Sequence, residues 1–242
     1  MLYALCSMLL LLAACSKTDP VLPGTRHPIF HAGGINLLDR AVPDSALADI
    51  RETGIYDNTY RQDSNNVVWR DTERVFSGLP TSARVAGERR PMVAGDHIIA
   101  GLSTGEVVKV NRNTKEPEWV ADVFRTSAMT GGSSILDIVA PVVIENDRFI
   151  YAGGLGNAFC KLDFNTGARI WCADIGVGKP FIVRAGVSYV VGTNGFLYAI
   201  DTRLGDAFWR AEIRRQAEPK ISGNVIAVGR EKFDARTGDK LK

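Results

Sequence analysis

Four cysteines and three histidines are the residues best suited to covalent or metal chemistry in this chain of 242 residues. His27 and His31 stand four apart, but Pro28 between them breaks the helical spacing that would let two imidazoles share a metal. Gly131-Gly132-Ser133-Ser134 has neither the lysine nor the spacing of a phosphate loop and reads as a turn. Gly153-Gly154-Leu155-Gly156 follows a β-rich run, yet no helical pattern follows it, so the context of a dinucleotide fingerprint is missing. No acid-rich cluster supplies oxygen ligands for a hard cation. Cys160 and Cys172 remain. They flank the segment Asp163 to Trp171, three residues before it and one after. If that segment is a hairpin centred on Thr166, the two cysteines face each other on one side of a sheet. They are a candidate disulfide, or two small apolar fillers. A one-residue bulge would turn the thiols apart.

The other informative cysteine is Cys15. Residues Leu2 to Ala14 are almost wholly apolar and end in small residues, as a secretory signal does. The sequence Leu12-Ala13-Ala14-Cys15 resembles the bacterial lipobox, although the usual basic residues before the apolar run are absent. That resemblance implies removal of residues 1–14 and acylation (palmitate among the chains) of Cys15. Each buried CH₂ contributes about 0.8 kcal/mol, enough for two or three acyl chains to hold a protein on a membrane. With Ser16 after the cysteine, the resemblance implies the periplasmic face of the outer membrane. No apolar run reaches the roughly 18 residues of a spanning helix. Residues 15–64, with Pro20, Pro23 and Pro28, read as a tether and irregular segment. Asp44-Ser45 could cap one short helix over 46–50. Lysine and arginine total 29 against 27 acids, a net charge of +2 that leaves no footprint for nucleic acid.

Residues 65–242 carry an internal repeat. Its copies run over 91–123, 141–175, 180–213 and 219–242, and Pro141, Pro180 and Pro219 are evenly spaced. Each copy has runs rich in Val, Ile, Phe and Tyr, separated by glycine or asparagine turns. Each closes on one frame: Asp163, Gly167, Trp171; Asp201, Gly205, Trp209; and Asp234, Gly238. The first copy keeps the frame as Asn111 and Trp119, with Lys115 where glycine belongs. Aspartate at a strand end accepts backbone N–H bonds, glycine supplies a left-handed residue, and tryptophan in the next strand fills the gap to a neighbour. The fold class is therefore all-β, a β-propeller that looks incomplete, with about four to five blades' worth of sequence. Val67-Val68-Trp69-Arg70 reads as the closing strand of an earlier blade. The last copy is short in its turn and third strand.

The D-x-x-x-G-x-x-x-W frame resembles the quinoprotein-type, PQQ-like repeat. With the lipobox, Gly87-Glu88-Arg89-Arg90-Pro91 and the insert ending Leu136-Asp137-Ile138-Val139-Ala140-Pro141, the chain resembles the BamB family of β-barrel assembly lipoproteins. The resemblance implies a scaffold that docks on the periplasmic domains of a BamA-like barrel-inserting protein and assists unfolded β-barrel clients. It implies no cofactor and no catalysis. Two inter-blade loops make the family's contacts. Carried over by position, the contact residues are Arg84, Val85 and Glu88 in the first and Asp137 and Ile138 in the second. Ala83 and Ala86 depart from the family's leucine and arginine, and Val139 from its second acid. Two other classes share the repeat: a periplasmic binding or sensor propeller, and a quinoprotein dehydrogenase. The dehydrogenases need calcium ligands and adjacent cysteines, and the sequence has no Cys-Cys pair.

Overall fold

A computed structural model describes residues 35–43, 56–81, 89–124 and 135–242. Cys15, His27, His31, the capped segment 44–50, Arg84, Val85, Glu88 and the Gly131 run lie outside the described residues. Within them, all regular structure is β, in five antiparallel sheets whose strands follow chain order. A leading sheet comprises β1 (Tyr60–Gln62), β2 (Val67–Arg70) and β3 (Glu73–Ser77). Blade 1 holds β4 (Met92–Ala94), β5 (His97–Gly101), β6 (Glu106–Asn111) and β7 (Pro117–Asp122). Blade 2 holds β8 (Val143–Glu145), β9 (Phe149–Gly154), β10 (Ala158–Asp163) and β11 (Arg169–Ala173). Blade 3 holds β12 (Ile182–Arg184), β13 (Val187–Val191), β14 (Phe196–Asp201) and β15 (Ala207–Glu212). Blade 4 holds β16 (Pro219–Ser222), β17 (Val225–Val228), β18 (Glu231–Asp234) and β19 (Lys240–Leu241). The first strands touch in succession, β4 to β8 to β12 to β16, so they are innermost and the fourth strands outermost. This is the architecture of propeller blades.

Blades 1 to 3 are covered on both faces and their middle strands are buried without alternation, as in β13, whereas β17 in blade 4 alternates. A separate apolar cluster fills every gap between neighbouring sheets. The hairpin frame works as its residue types require. Asp163 Oδ1 accepts the N–H groups of Asn165 and Thr166 at 3.0 and 2.8 Å, and Gly167 N–H donates to Asp163 O at 2.9 Å. Gly167, Gly205 and Gly238 are left-handed, with φ of 71°, 81° and 76°. Lys115 adopts the same conformation at φ 63° despite its side chain.

The turn alone closes Asp163 on Ala168. That is one residue short of the register that would oppose the cysteines. A bulge at Ile170 supplies the missing residue, and Cys160 then pairs with Cys172. The two form a disulfide with Cα atoms 4.1 Å apart. The bulge that threatened the pairing brings it about. Its counterparts are Glu118 in β7 and Phe208 in β15.

Three expectations are corrected. Val67–Arg70 is the middle strand of its sheet and not a closing strand, because the left-handed Asp71 returns the chain at once into β3. The first sheet begins at Tyr60, not 65. The segment 15–64 is not a tether throughout: residues 35–43 lie along β15, joined by a parallel bridge from Leu37 to Ala207. Blade 4 is shortened as expected, with four residues in β18 against six in β14, yet all four strands form.

Candidate functional site

The repeat tryptophans hold the blades in register. Trp171 and Trp209 are 4% exposed, and Trp119 is partly buried. Each ring lies on the hairpin glycine of the following blade. A Cβ on Gly167 would stand 2.7 Å from Trp119, on Gly205 2.8 Å from Trp171, and on Gly238 2.5 Å from Trp209. Each indole N–H also donates to the carbonyl just after the frame aspartate: Trp119 to Phe164, Trp171 to Thr202 and Trp209 to Ala235, at 3.1, 2.9 and 3.3 Å. Glycine is thus required twice, for its φ and for the approach of the ring. Trp69 makes no such latch, since its N–H donates to Asp63 Oδ2 within its own sheet at 3.0 Å.

A second donor supports the latch, and nothing in the repeat frame pointed to it. In blade 2, Lys161 Nζ donates to the same Thr202 carbonyl at 3.0 Å and lies 3.8 Å from the centre of the Phe149 ring. Burial pushes its amine below the usual lysine range, against the pull of Glu145 and Asp201. Tyr151 donates to Glu145 at 2.6 Å, and burial first, then this bond, raise its hydroxyl far above the ordinary value. Blade 3 has Ala199 at the lysine position, and the paired Tyr189 donates to Ala235 O at 3.1 Å instead. Burial pushes Tyr189 up to about 12.

Arg89, the first described residue after one expected contact loop, meets Asp137 of the other where the leading sheet, blade 1 and blade 2 join. Asp137 and Ile138 are 0% and 1% exposed, so neither side chain is offered to a partner, which corrects their carry-over as contact residues. Asp137 pairs with Arg89 Nη2 at 2.9 Å, and both side chains are buried. Ile138 N–H donates to Leu102 O at 3.1 Å, and Leu155 N–H donates to Asp137 O at 2.9 Å. Gly101 leaves the room that Ile138 fills, since a Cβ there would stand 2.4 Å from Ile138 Cγ2. The described end of the insert is therefore a splice between blades, with backbone bonds from Asp137 and Ile138 to blades 2 and 1.

The same junction holds Thr81 and Arg89, the described residues on either side of 82–88. On one side Thr81 donates to Ser103, which in turn donates to the buried Asn66, both at 3.0 Å. On the other stands Arg89, held by Asp137. Beside it a cleft of about 410 Å³ is lined by Tyr60, Arg61, Gln62, Arg89, Arg90 and others, with Asp57 the one acid among the described lining residues. Nearby, Leu79 is 72% exposed. The described residues of this junction thus present cationic side chains at the cleft and an exposed Leu79. Among the described residues no group of His, Cys, Asp or Glu is placed to hold a metal ion.

A family model described as outer membrane protein assembly factor BamB matches residues 58–211 and 160–241. A protein of that name from Burkholderia pseudomallei is 27% identical over 203 residues, covering 78% of this chain and 46% of that protein. One from Kangiella koreensis is 30% identical over 119 residues, covering 48% of this chain and 29% of that protein. The chain spans less than half the length of these relatives. The crystal structure of BamB from Moraxella catarrhalis superposes with a TM-score of 0.59 at 17% identity, covering 73% of this chain and 56% of that one. A quinohaemoprotein alcohol dehydrogenase from Pseudomonas putida gives 0.58 at 14% identity, covering 86% and 43%. Likeness at that level shows a shared PQQ-type propeller fold and no shared chemistry. The family model, by contrast, runs through every sheet from β1 to the last hairpin, and the chain belongs to the BamB family of outer membrane protein assembly factors.

Proposed function

We propose that this chain is a non-catalytic scaffold of outer-membrane β-barrel assembly, anchored through acylated Cys15 to the periplasmic face of the outer membrane. It docks on the periplasmic domains of a BamA-like protein and assists unfolded β-barrel clients. The family match across all five sheets carries this reading. The junction supports it, because it holds Thr81 and Arg89 on either side of the segment that contains Arg84, Val85 and Glu88. In this reading Asp137 and Ile138 act indirectly, by setting the position of that segment. The test is affinity purification of the tagged chain from detergent-solubilised outer membranes. Recovery of the barrel-inserting protein is expected. Recovery of a different periplasmic partner, or of none, would overturn the reading in favour of a sensor propeller.

A further inference from the structure

The segment 35–43 occupies the outer edge of blade 3 as an added strand would. Ala207 N–H donates to Asn36 O and Leu38 N–H to Ala207 O, both at 2.8 Å, and Arg40 N–H donates to Phe208 O at 3.0 Å. Val42 N–H then donates to Arg236 O of blade 4 at 2.9 Å, and its side chain is fully buried between blades 3 and 4. Ile35 packs on the cluster between blades 2 and 3, so the segment bridges two inter-blade grooves. The edge is shaped for this. The residue equivalent to Ala207 is Arg169 in blade 2 and Pro117 in blade 1. Proline has no N–H to donate, and arginine sets a long side chain at the site of approach. Ala207 combines a donor with the smallest side chain of the three.

As an occupant the segment is poor. Asp39 is left-handed, with φ 51°, and interrupts the ladder after Leu38. Leu37, Asp39, Arg40, Ala41 and Pro43 are exposed. A stretch held by a few backbone bonds, one buried side chain at Val42 and two half-buried ones at Ile35 and Leu38 opens at low free energy. A longer extended strand without the kink could pair with the edge of β15 beyond Phe208, where Arg210 and Glu212 are exposed.

We propose that the outer edge of β15, with the adjoining Val42 pocket, is a strand-addition site for an extended polypeptide bearing spaced apolar side chains, closed in this structure by residues 35–43. Main-chain pairing would give affinity, and the two inter-blade grooves would select apolar residues. An unfolded β-barrel segment has that chemistry, so the inference deepens the client part of the assembly reading and rests on it. It requires no docking on the barrel-inserting protein.

The test uses the purified full chain alone, so failure here is distinct from failure of the purification experiment. The probe is a fluorescent peptide copying residues 35–43, with valine at the place of Asp39. A chain carrying Leu38→Asp and Val42→Asp, which loosen the segment, should bind the probe at least about ten-fold more tightly than the unaltered chain, because the site is then free. Adding Ala207→Pro should abolish that gain. Equal affinity for the loosened and unaltered chains, or a gain that survives Ala207→Pro, would overturn the proposal. Hydrogen exchange guards against misfolding of the proline variant. In the loosened chain, added probe should slow exchange at Ala207, and an unchanged rate there would equally overturn it.

Discussion

A tryptophan in this repeat brings two separable contributions, its ring area and one N–H, and both are used on the neighbouring blade. Trp171→Ala should cost about 3–5 kcal/mol, as expected for a large buried aromatic. Trp171→Phe keeps most of the area and leaves the Thr202 carbonyl without the indole, so chemical denaturation should register about 1–2 kcal/mol. The glycines and Lys115 give a contrast of sign. Gly205→Ala places a Cβ 2.8 Å from Trp171 at φ 81° and should destabilise. Lys115→Gly relieves a left-handed side chain and should stabilise by up to about 1 kcal/mol, less what its exposed ion pair with Glu73 contributes. Tyr189 supplies a pH signature. Unfolded tyrosine ionises near 10, whereas Tyr189 is pushed up to about 12. Between those values the unfolded chain binds fewer protons than the native one, so stability falls as pH rises. Tyr189→Phe should make that fall less steep, and melting curves from pH 9 to 12 would show it.

Among the elements, the hairpins were the most legible part of the sequence, because Asp, Gly and Trp at fixed spacing each meet a separate physical need. The register between the cysteines was only half legible. Counting residues about Thr166 found the right partners, but the turn falls one residue short and the Ile170 bulge makes it up, and the sequence marks neither. Reduction should accordingly destabilise blade 2, by roughly 2–3 kcal/mol in the chain-entropy model for a loop of this size. Comparison of denaturation with and without reductant, against a Cys160→Ala, Cys172→Ala chain that should not respond, checks this. Trp69 misled because a tryptophan in a β run looks like a frame residue. The deciding feature was the two-residue turn at Asp71-Thr72, which makes β3 the outer strand and puts Phe76 opposite Val68. Lys161 and Tyr189 were invisible for a related reason. They reach equivalent carbonyls, of Thr202 and Ala235, from different strands, and only tertiary structure shows the equivalence.

At the scale of the whole molecule, the sheets form an arc whose junctions matter more than any single blade. The Arg89–Asp137 pair lies at such a junction, and breaking it leaves a buried charge uncompensated. Asp137→Ala should cost about 3–5 kcal/mol, read as a lowered denaturation midpoint. The contact loops were legible as positions, while their division of labour was not: Asp137 looked like a surface acid because burial depends on Gly101 and Leu102, far away in sequence. Cys15→Ala should shift the chain from membranes to the soluble periplasmic fraction, and retention of the processed variant on membranes would refute anchoring by acylation. The most direct test of the scaffold account is calorimetric titration of the purified chain with the isolated periplasmic domains of the barrel-inserting protein. The account predicts saturable binding that weakens at least about ten-fold, or 1.4 kcal/mol, when Arg84 and Glu88 are replaced by alanine in a chain that still folds. Absence of binding, or binding indifferent to that double substitution, would contradict it.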